Sequence, residues 1–464
     1  MPSGVRADYR REVDADTDST GLLSRIGLRT RAQRAWAMYD WANSAMVVII
    51  VTAIYPVFFP SFAASGLAPE VATFRYSLAT TIGLAVIAVL APFLGAVADQ
   101  RPVKKKMLAA FLVIGATAVG MMFFIREGNW LFALILFVLA NIGANGSFVF
   151  YDSLLPHVAP VDQMDRVSTA GYALGYVGGG LLLAASAVML ANPGLLGLPA
   201  GEGLSPAQAS LPARIAFVTV AVWWVVFAIP LFRRVPEPPV RGMSEEERTL
   251  GTARAALRRL RHTVKELKKY RNAFVMLLAF LIYNDGIGTI IRMAVIFGGE
   301  IGIDRGALIG AVVLVQFVGI PFAFLFGGLA GKIGAKRAIF LGLVVYAVIS
   351  VYGYFIQTAL DFFILATMVA MVQGGTQALS RSLFGSMIPR HESGEFFGLF
   401  AVFEKFAGIM GPGVFALTIA LTGSSRNAIL SVIAFFVVGG ALLAFVNVEE
   451  GQKTAREAER AAAG

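Results

Sequence analysis

The chain has 464 residues, of which 57% are apolar and 15% charged, against roughly 25% charged in a soluble domain. The charges gather between long apolar stretches, which excludes an ordinary soluble core and points to a polytopic membrane protein. The net charge of +10 follows that placement and marks no nucleic-acid face. The absence of cysteine excludes disulfides and thiolate chemistry. His157, His262 and His391 fall in predicted loops or linkers, which argues against histidine or metal catalysis at membrane depth.

Residues 1–35 are polar, carry both charges and lack an apolar h-region, so they read as a tail rather than a signal peptide. A spanning helix needs about 20 mostly apolar residues. Twelve stretches qualify: 36–62, 76–98, 107–125, 131–155, 168–190, 213–232, 272–298, 307–330, 338–357, 362–385, 396–421 and 427–447. The expected fold is therefore all-α, with twelve transmembrane helices. An even count places both termini on one side. With the termini inside, the tails and even-numbered connections hold most Lys and Arg, including Arg101, Lys104, Lys105, Lys106, Lys332, Lys336 and Arg337. The other loops hold Arg75, Arg126, Arg214, Arg305 and Arg426. The positive-inside rule then predicts that both termini face the cytoplasm.

Segment 1 opens on "YDWANSA", residues 39–45. Asp40, Asn43 and Ser44 share a helix face. Asp40 fits both a first-turn acid favoured by the helix dipole and a gate or coupling residue, while Tyr39 and Trp41 suit an interfacial aromatic belt. Segment 2 ends in "GAVADQRPVKKK", residues 95–106. There Gly95 permits close helix approach, and Asp99 can meet a neighbouring helix N-terminus, with Arg101 and Lys104 at hand. Such a contact would latch two bundles and break when they rock. In segment 4, Asn141 and Asn145 lie four apart on one face. The run "GYALGYVGGG" (171–180) suits close packing and is not a phosphate loop.

The connection 233–271 begins with the proline-rich "RRVPEPPV". It continues through a capping-box spacing at Ser244 and Glu247 into Leu250, Ala253, Leu257, Leu260, Val264 and Leu267 at helical spacing. An amphipathic surface helix or a solvated tether fits equally.

In segment 7, "YNDG" puts Asn284 and Asp285 near midplane, followed by Gly286 and Gly288, where the helix is expected to loosen around a cavity. Ionisable groups at such depth are functional candidates, and the desolvated carboxyl of Asp285 is a candidate proton carrier. Arg292, seven residues on, lies near the same face. The two could take the amine and carboxylate of a zwitterion, or form a salt bridge. Gln373 and Gln377 share a face of segment 10, and Arg381 lies near its inner end. Glu404 and Lys405, two turns into segment 11, are coupling and gate candidates, with Arg381 a possible partner of Glu404. "GIMGPG" (408–413) allows close packing and bending.

The ends of segments 2 and 8 are similar. "GGLAGKIGAKRA" (327–338) follows "GAVADQRPVKKK" by 232 residues, and at that offset Asn141 and Asn145 meet Gln373 and Gln377. A duplicated six-helix unit follows, with bundles at 36–232 and 272–447 and polar tails at 1–35 and 448–464. Duplicated bundles hold substrate at midplane between the halves.

This organisation and the loop motif resemble the major facilitator superfamily. "WAMYDWANSA", "YNDG" and "SRSLFGSMIPRHESGEFFGLF" (380–400) further resemble the branch of vacuolar amino-acid effluxers linked to autophagy and their bacterial relatives. The resemblance spans about residues 30–447. It implies secondary transport of a small solute by alternating access, without cofactor or metal, by a monomer in the bilayer, with proton coupling as one option. In eukaryotic members it implies amino-acid export; for bacterial members it implies little about substrate. The second copy carries Gly331 where the first has Asp99, and segment 4 lacks the arginine usual in proton-coupled drug exporters, which puts drug–proton antiport in doubt. A lipid flippase on the same fold, or a membrane enzyme using His157 or His391, are the alternatives.

Overall fold

The structure, a computed structural model, describes residues 21–240, 269–407 and 410–462, and the predicted linker helix lies outside them. Among these residues all regular structure is helical. Eleven helices among the described residues are long and apolar enough to cross a membrane. The first half contains α1 (Arg31–Ala63), α2 (Pro69–Gln100), α3 (Lys104–Met121), α4 (Trp130–Val158), α5 (Val161–Ala191) and α6 (Leu211–Arg234). The second half contains α7 (Arg271–Glu300), α8 (Arg305–Ile333), α9 (Ala335–Phe355) and α10 (Ala359–Ser386). The predicted eleventh segment is divided into α11 (Ser393–Phe406) and α12 (Met410–Thr422), and α13 (Ser425–Ala444) follows. The predicted C-terminal tail holds a further helix, α14 (Val448–Ala461), docked by its buried Gly451, Ala455 and Ala458.

Local chemistry explains several starts. Thr30 and Gln33 form a capping box at α1, and Thr358 and Asp361 form one at α10. The N-terminus of α3 has no side-chain cap of its own. Glu237, from "RRVPEPPV", accepts from the backbone N–H of Lys104 at 2.6 Å and of Lys105 at 3.1 Å. A carboxylate is favourable at that end of a helix dipole, so the linker's opening residues are tied to the first half. Within α1, π-helical turns at Val47–Ala53 and Phe59–Ala63 interrupt the α pattern.

Buried apolar residues form two cores. One draws on residues 28–235 with Ala401, the other on residues 270–458. Large apolar side chains such as Val89, Phe124, Leu421 and Val437 are exposed on the outer surface, as a lipid-facing helix requires.

Glycines set the close crossings between the halves. A Cβ on Gly95 of α2 would collide with the carbonyl of Gly394 at the start of α11, and one on Gly398 would lie 2.6 Å from the carbonyl of Ala91. The duplicated position does the same work, because a Cβ on Gly327 of α8 would strike Thr169 of α5. Gly95→Leu is therefore expected to destabilise by about 1–3 kcal/mol through overpacking, lowering the melting temperature in detergent. Gly328→Leu, where an added Cβ meets nothing, serves as the control and should melt like the parent.

Candidate functional site

The two halves are bonded together at the end of the bundle where the basic loops lie. Arg381, near the C-terminal end of α10, crosses into the first half and is only 3% exposed. Its Nη1 donates to Asp152 Oδ1 at 3.0 Å, its Nη2 to Asp40 Oδ2 at 3.3 Å and to the Ser168 carbonyl at 3.1 Å, and its Nε to Ser168 Oγ at 3.0 Å. The rings of Trp36, Tyr151 and Tyr172 surround the guanidinium at 4.9, 5.5 and 4.7 Å. Tyr151 also donates to Asp40 Oδ2 at 2.7 Å. One buried cation thus neutralises two buried acids from the opposite half, in the planar multi-donor geometry that arginine provides. Ser168 donates to the Ala378 carbonyl at 2.7 Å, and Ser382 to Asp165 at 2.5 Å, adding bonds across the same seam.

Asp40 is therefore not a first-turn acid. It lies more than two turns into α1, and its charge is met by Arg381 rather than by the helix dipole. Tyr39 is fully buried against Tyr151, with ring centroids 5.0 Å apart, and is no interfacial belt residue; Trp41 stacks on Trp223 at 5.9 Å. The ion pairs of Arg381 are with Asp40 and Asp152, not with Glu404. Glu404, about three turns into α11, lies near enough to Asp152 to add negative charge there. The Lys405 side chain lies outside the described structure.

A second polar cluster joins α2 to α11. Asp99, 2% exposed, pairs with Lys104 at 2.8 Å and accepts from the backbone N–H of Gly394 at 3.0 Å and of Glu395 at 2.8 Å. The expected partner, a helix N-terminus, is the first turn of α11. Lys104 also donates to Ser393 Oγ at 2.7 Å, and Ser393 Oγ donates to the Ser153 carbonyl at 2.9 Å. His157 lies within α4, not in a loop, with its Nε2 3.1 Å from the same hydroxyl. Arg101 is exposed and outside the cluster, because α2 ends one residue before it and turns its side chain to solvent. Asp99→Ala leaves Lys104 buried without its carboxylate. A cost of about 3–5 kcal/mol follows, read as a fall in melting temperature that Lys104→Met in the same chain should partly restore.

Asp285 is fully buried on α7. Its Oδ2 accepts from the Gly411 N–H at 2.8 Å, in the first turn of α12. Its Oδ1 is 4.0 Å from Arg292 Nη2 and, among the described residues, has no hydrogen-bond partner. The loosening expected in α7 is absent, since the helix runs unbroken through Gly286 and Gly288. Gly286 instead admits Phe435 and Phe436 of α13, and Gly288 lies beneath the Arg292 guanidinium. The discontinuity lies opposite, between α11 and α12, and the second piece presents its N-terminus to Asp285.

The other predicted site residues are dispersed. Asn141 is buried and donates to the Phe137 carbonyl at 3.0 Å, and Asn145, half-buried, donates to the Asn141 carbonyl at 2.9 Å, so both amides serve their own helix. Gln377 lies 3.5 Å from Asn284 Oδ1, joining α10 to α7. Asn145, Asn284, Gln373 and Gln377 are partly exposed, and Arg292 is 46% exposed. The contact residues not singled out in the sequence are Asp152, Ser168 and Tyr172, whereas Gly411 falls in the "GIMGPG" run. Of those three, only Asp152 carries a visible signal, as an acid inside an otherwise uncharged apolar segment.

A family model described as "Vacuole effluxer Atg22 like" matches residues 70–456. YxiO of Bacillus subtilis (strain 168), an uncharacterized MFS-type transporter, is 37% identical over 423 residues, covering 90% of this chain and 96% of its own. Autophagy-related protein 22 of Coccidioides immitis (strain RS) is 23% identical over 466 residues, covering 85% and 76%. Among solved structures, the major facilitator transporter FucP in its outward conformation superposes with a TM-score of 0.65 at 12% identity, covering 91% of this chain and 100% of its own. The human organic anion transporter MFSD10 does so with 0.65 at 14%, covering 89% and 99%. These structural likenesses speak for the major facilitator fold alone, while the sequence matches reach further: the chain belongs to the vacuole effluxer Atg22-like family.

Proposed function

We propose that the chain is a secondary transporter that moves a small solute by alternating access between bundles 36–232 and 272–447, with the basic end facing the cytoplasm. The observation that carries this reading is the insertion of Arg381 from one half into the Asp40–Asp152 pair of the other. A buried charge cluster divided between two bundles can be exchanged only as a unit, which makes the seam a two-state element. The transporter relatives and neighbours support the same class. The Asp99 cluster acts with it as the second half of an inner gate.

In this closed-inside arrangement the groups available to a solute are Asn145, Asn284, Gln373, Gln377 and Arg292. Asn141 and Asp285 are buried and support them. An amino acid suits the site, since a substrate carboxylate can draw Arg292 from its long contact with Asp285. Asp285 would then hold a buried charge with Gly411 as its hydrogen-bonded partner, a circumstance that favours proton uptake. This exchange is the proposed coupling step, with Asp40 and Glu404 as further candidates.

The test is flux into proteoliposomes across amino acids, sugars, drugs and lipids, with and without a pH gradient. Saturable, gradient-stimulated amino-acid flux is expected. Flux of lipid alone would replace the reading with a flippase, and no substrate-dependent flux from folded protein would remove the transporter assignment.

A further inference from the structure

The docked helix α14 closes a cavity of about 340 Å³ against the basic ends of both halves. Pro156 and Val161 of the first half form one wall, Arg390 of the second half another, and Arg456 and Arg460 the third. Arg456 and Arg460 lie four residues apart and so share one helix face. Three guanidiniums therefore meet a single carboxylate, that of Glu459, which Arg390 already engages: its Nε lies 3.8 Å from Oε1, and its backbone N–H donates to the same oxygen at 3.1 Å. Glu457, which does not line the cavity, is paired with Lys453 at 4.0 Å. Among the described residues no carboxylate pairs with Arg456 or Arg460; Arg456 Nε donates to the Gln452 carbonyl at 3.2 Å. The volume suits a small ligand, the charge is an excess of fork-shaped donors, and the cavity lies at the C-terminal ends of α4 and α10 and the N-terminal end of α5.

We propose that this cavity binds a phosphate-bearing anion held by Arg456 and Arg460, either the headgroup of an anionic phospholipid or a soluble phosphate. Guanidinium forks match phosphate oxygens, and a polybasic site at this level is where an anionic headgroup is delivered. The walls belong to both halves, so the site is assembled only with the basic end closed. Nothing in this inference depends on what the protein transports.

The experiment measures binding and melting temperature of the purified full-length chain in detergent with short-chain phosphatidylglycerol, and separately with inorganic pyrophosphate. Arg456→Gln/Arg460→Gln is compared with Lys453→Gln, a neighbouring basic position on the same helix that does not line the cavity. All three positions are exposed, so folding is expected to survive. Stabilisation of the parent and the Lys453 variant is expected, with affinity lowered at least roughly tenfold in the double variant, from the loss of two charge-assisted hydrogen bonds. Response to phosphatidylglycerol alone identifies a lipid headgroup, and response to pyrophosphate identifies a soluble phosphate; either supports the site. No response from the parent, or an equal response from the double variant, overturns it.

Discussion

Arg381→Gln is expected to reduce transport by at least about two orders of magnitude, because removing one partner of a buried cluster costs about 3–5 kcal/mol. The neutral amide leaves Asp40 and Asp152 facing each other in a site where Arg381 held both, within 3.3 and 3.0 Å. The closed basic end loses its main charge-bearing bond, and the population moves toward the arrangement in which the two acids reach water. Arg381→Lys should be little better, since an ammonium cannot reproduce donation to Asp40, Asp152 and Ser168 at once. A triple variant adding Asp40→Asn and Asp152→Asn separates gate from scaffold. It removes the unpaired charge and should recover most of the melting temperature. If the cluster is a gate, transport stays low because nothing now opposes or times the opening. Recovery of transport together with stability would reduce the cluster to structural glue.

Asp285→Asn is the second large effect, and it divides differently. The amide is isosteric, and its oxygen can still accept from Gly411, so the contact between α7 and α12 is expected to survive. What it cannot do is gain and lose a proton or hold Arg292 by charge. Substrate exchange between equal compartments should therefore remain within a few-fold of the parent, while accumulation driven by a pH gradient disappears. Equal gradient dependence in the variant and the parent would remove Asp285 as the carrier and leave Glu404 and Asp40 to be tested. Loss of both activities with a lowered melting temperature would show a packing role.

How much of this was legible follows from what one strand of sequence can express. Apolar length revealed the spanning helices, and the duplicated loop placed Gly95, Asp99 and Lys104 at a helix-end contact. The other side of that contact could not be read, because the N–H groups of Gly394 and Glu395 are backbone donors without a side-chain signal, nearly three hundred residues away. Helical periodicity assigns residues to a face but says nothing of which face meets which. Sequence alone therefore offers Glu404, a neighbour along the chain, as one candidate partner for Arg381 and gives no sign of Asp40, 341 residues distant. The glycines of α7 misled for a related reason: small residues admit a neighbour as readily as they loosen a helix, and Phe435 and Phe436 fill the space beside Gly286. The true discontinuity had its own signal in "GIMGPG". Pro412 lacks an N–H and is tolerated in the first turn of a helix, which is where α12 places it.

As one state of a seam that opens and closes, the Arg381 cluster is tested most directly by distances between the two halves. The chain has no cysteine, so introduced thiols carry spin labels without background. One pair, Lys106→Cys with Arg337→Cys, reports the basic end, and a second, Leu195→Cys with Leu360→Cys, reports the opposite end; all four positions are exposed. Introducing Arg381→Gln should lengthen the first distance and shorten the second in the same sample. Distances unchanged at both ends, in a variant that is folded, would contradict the account.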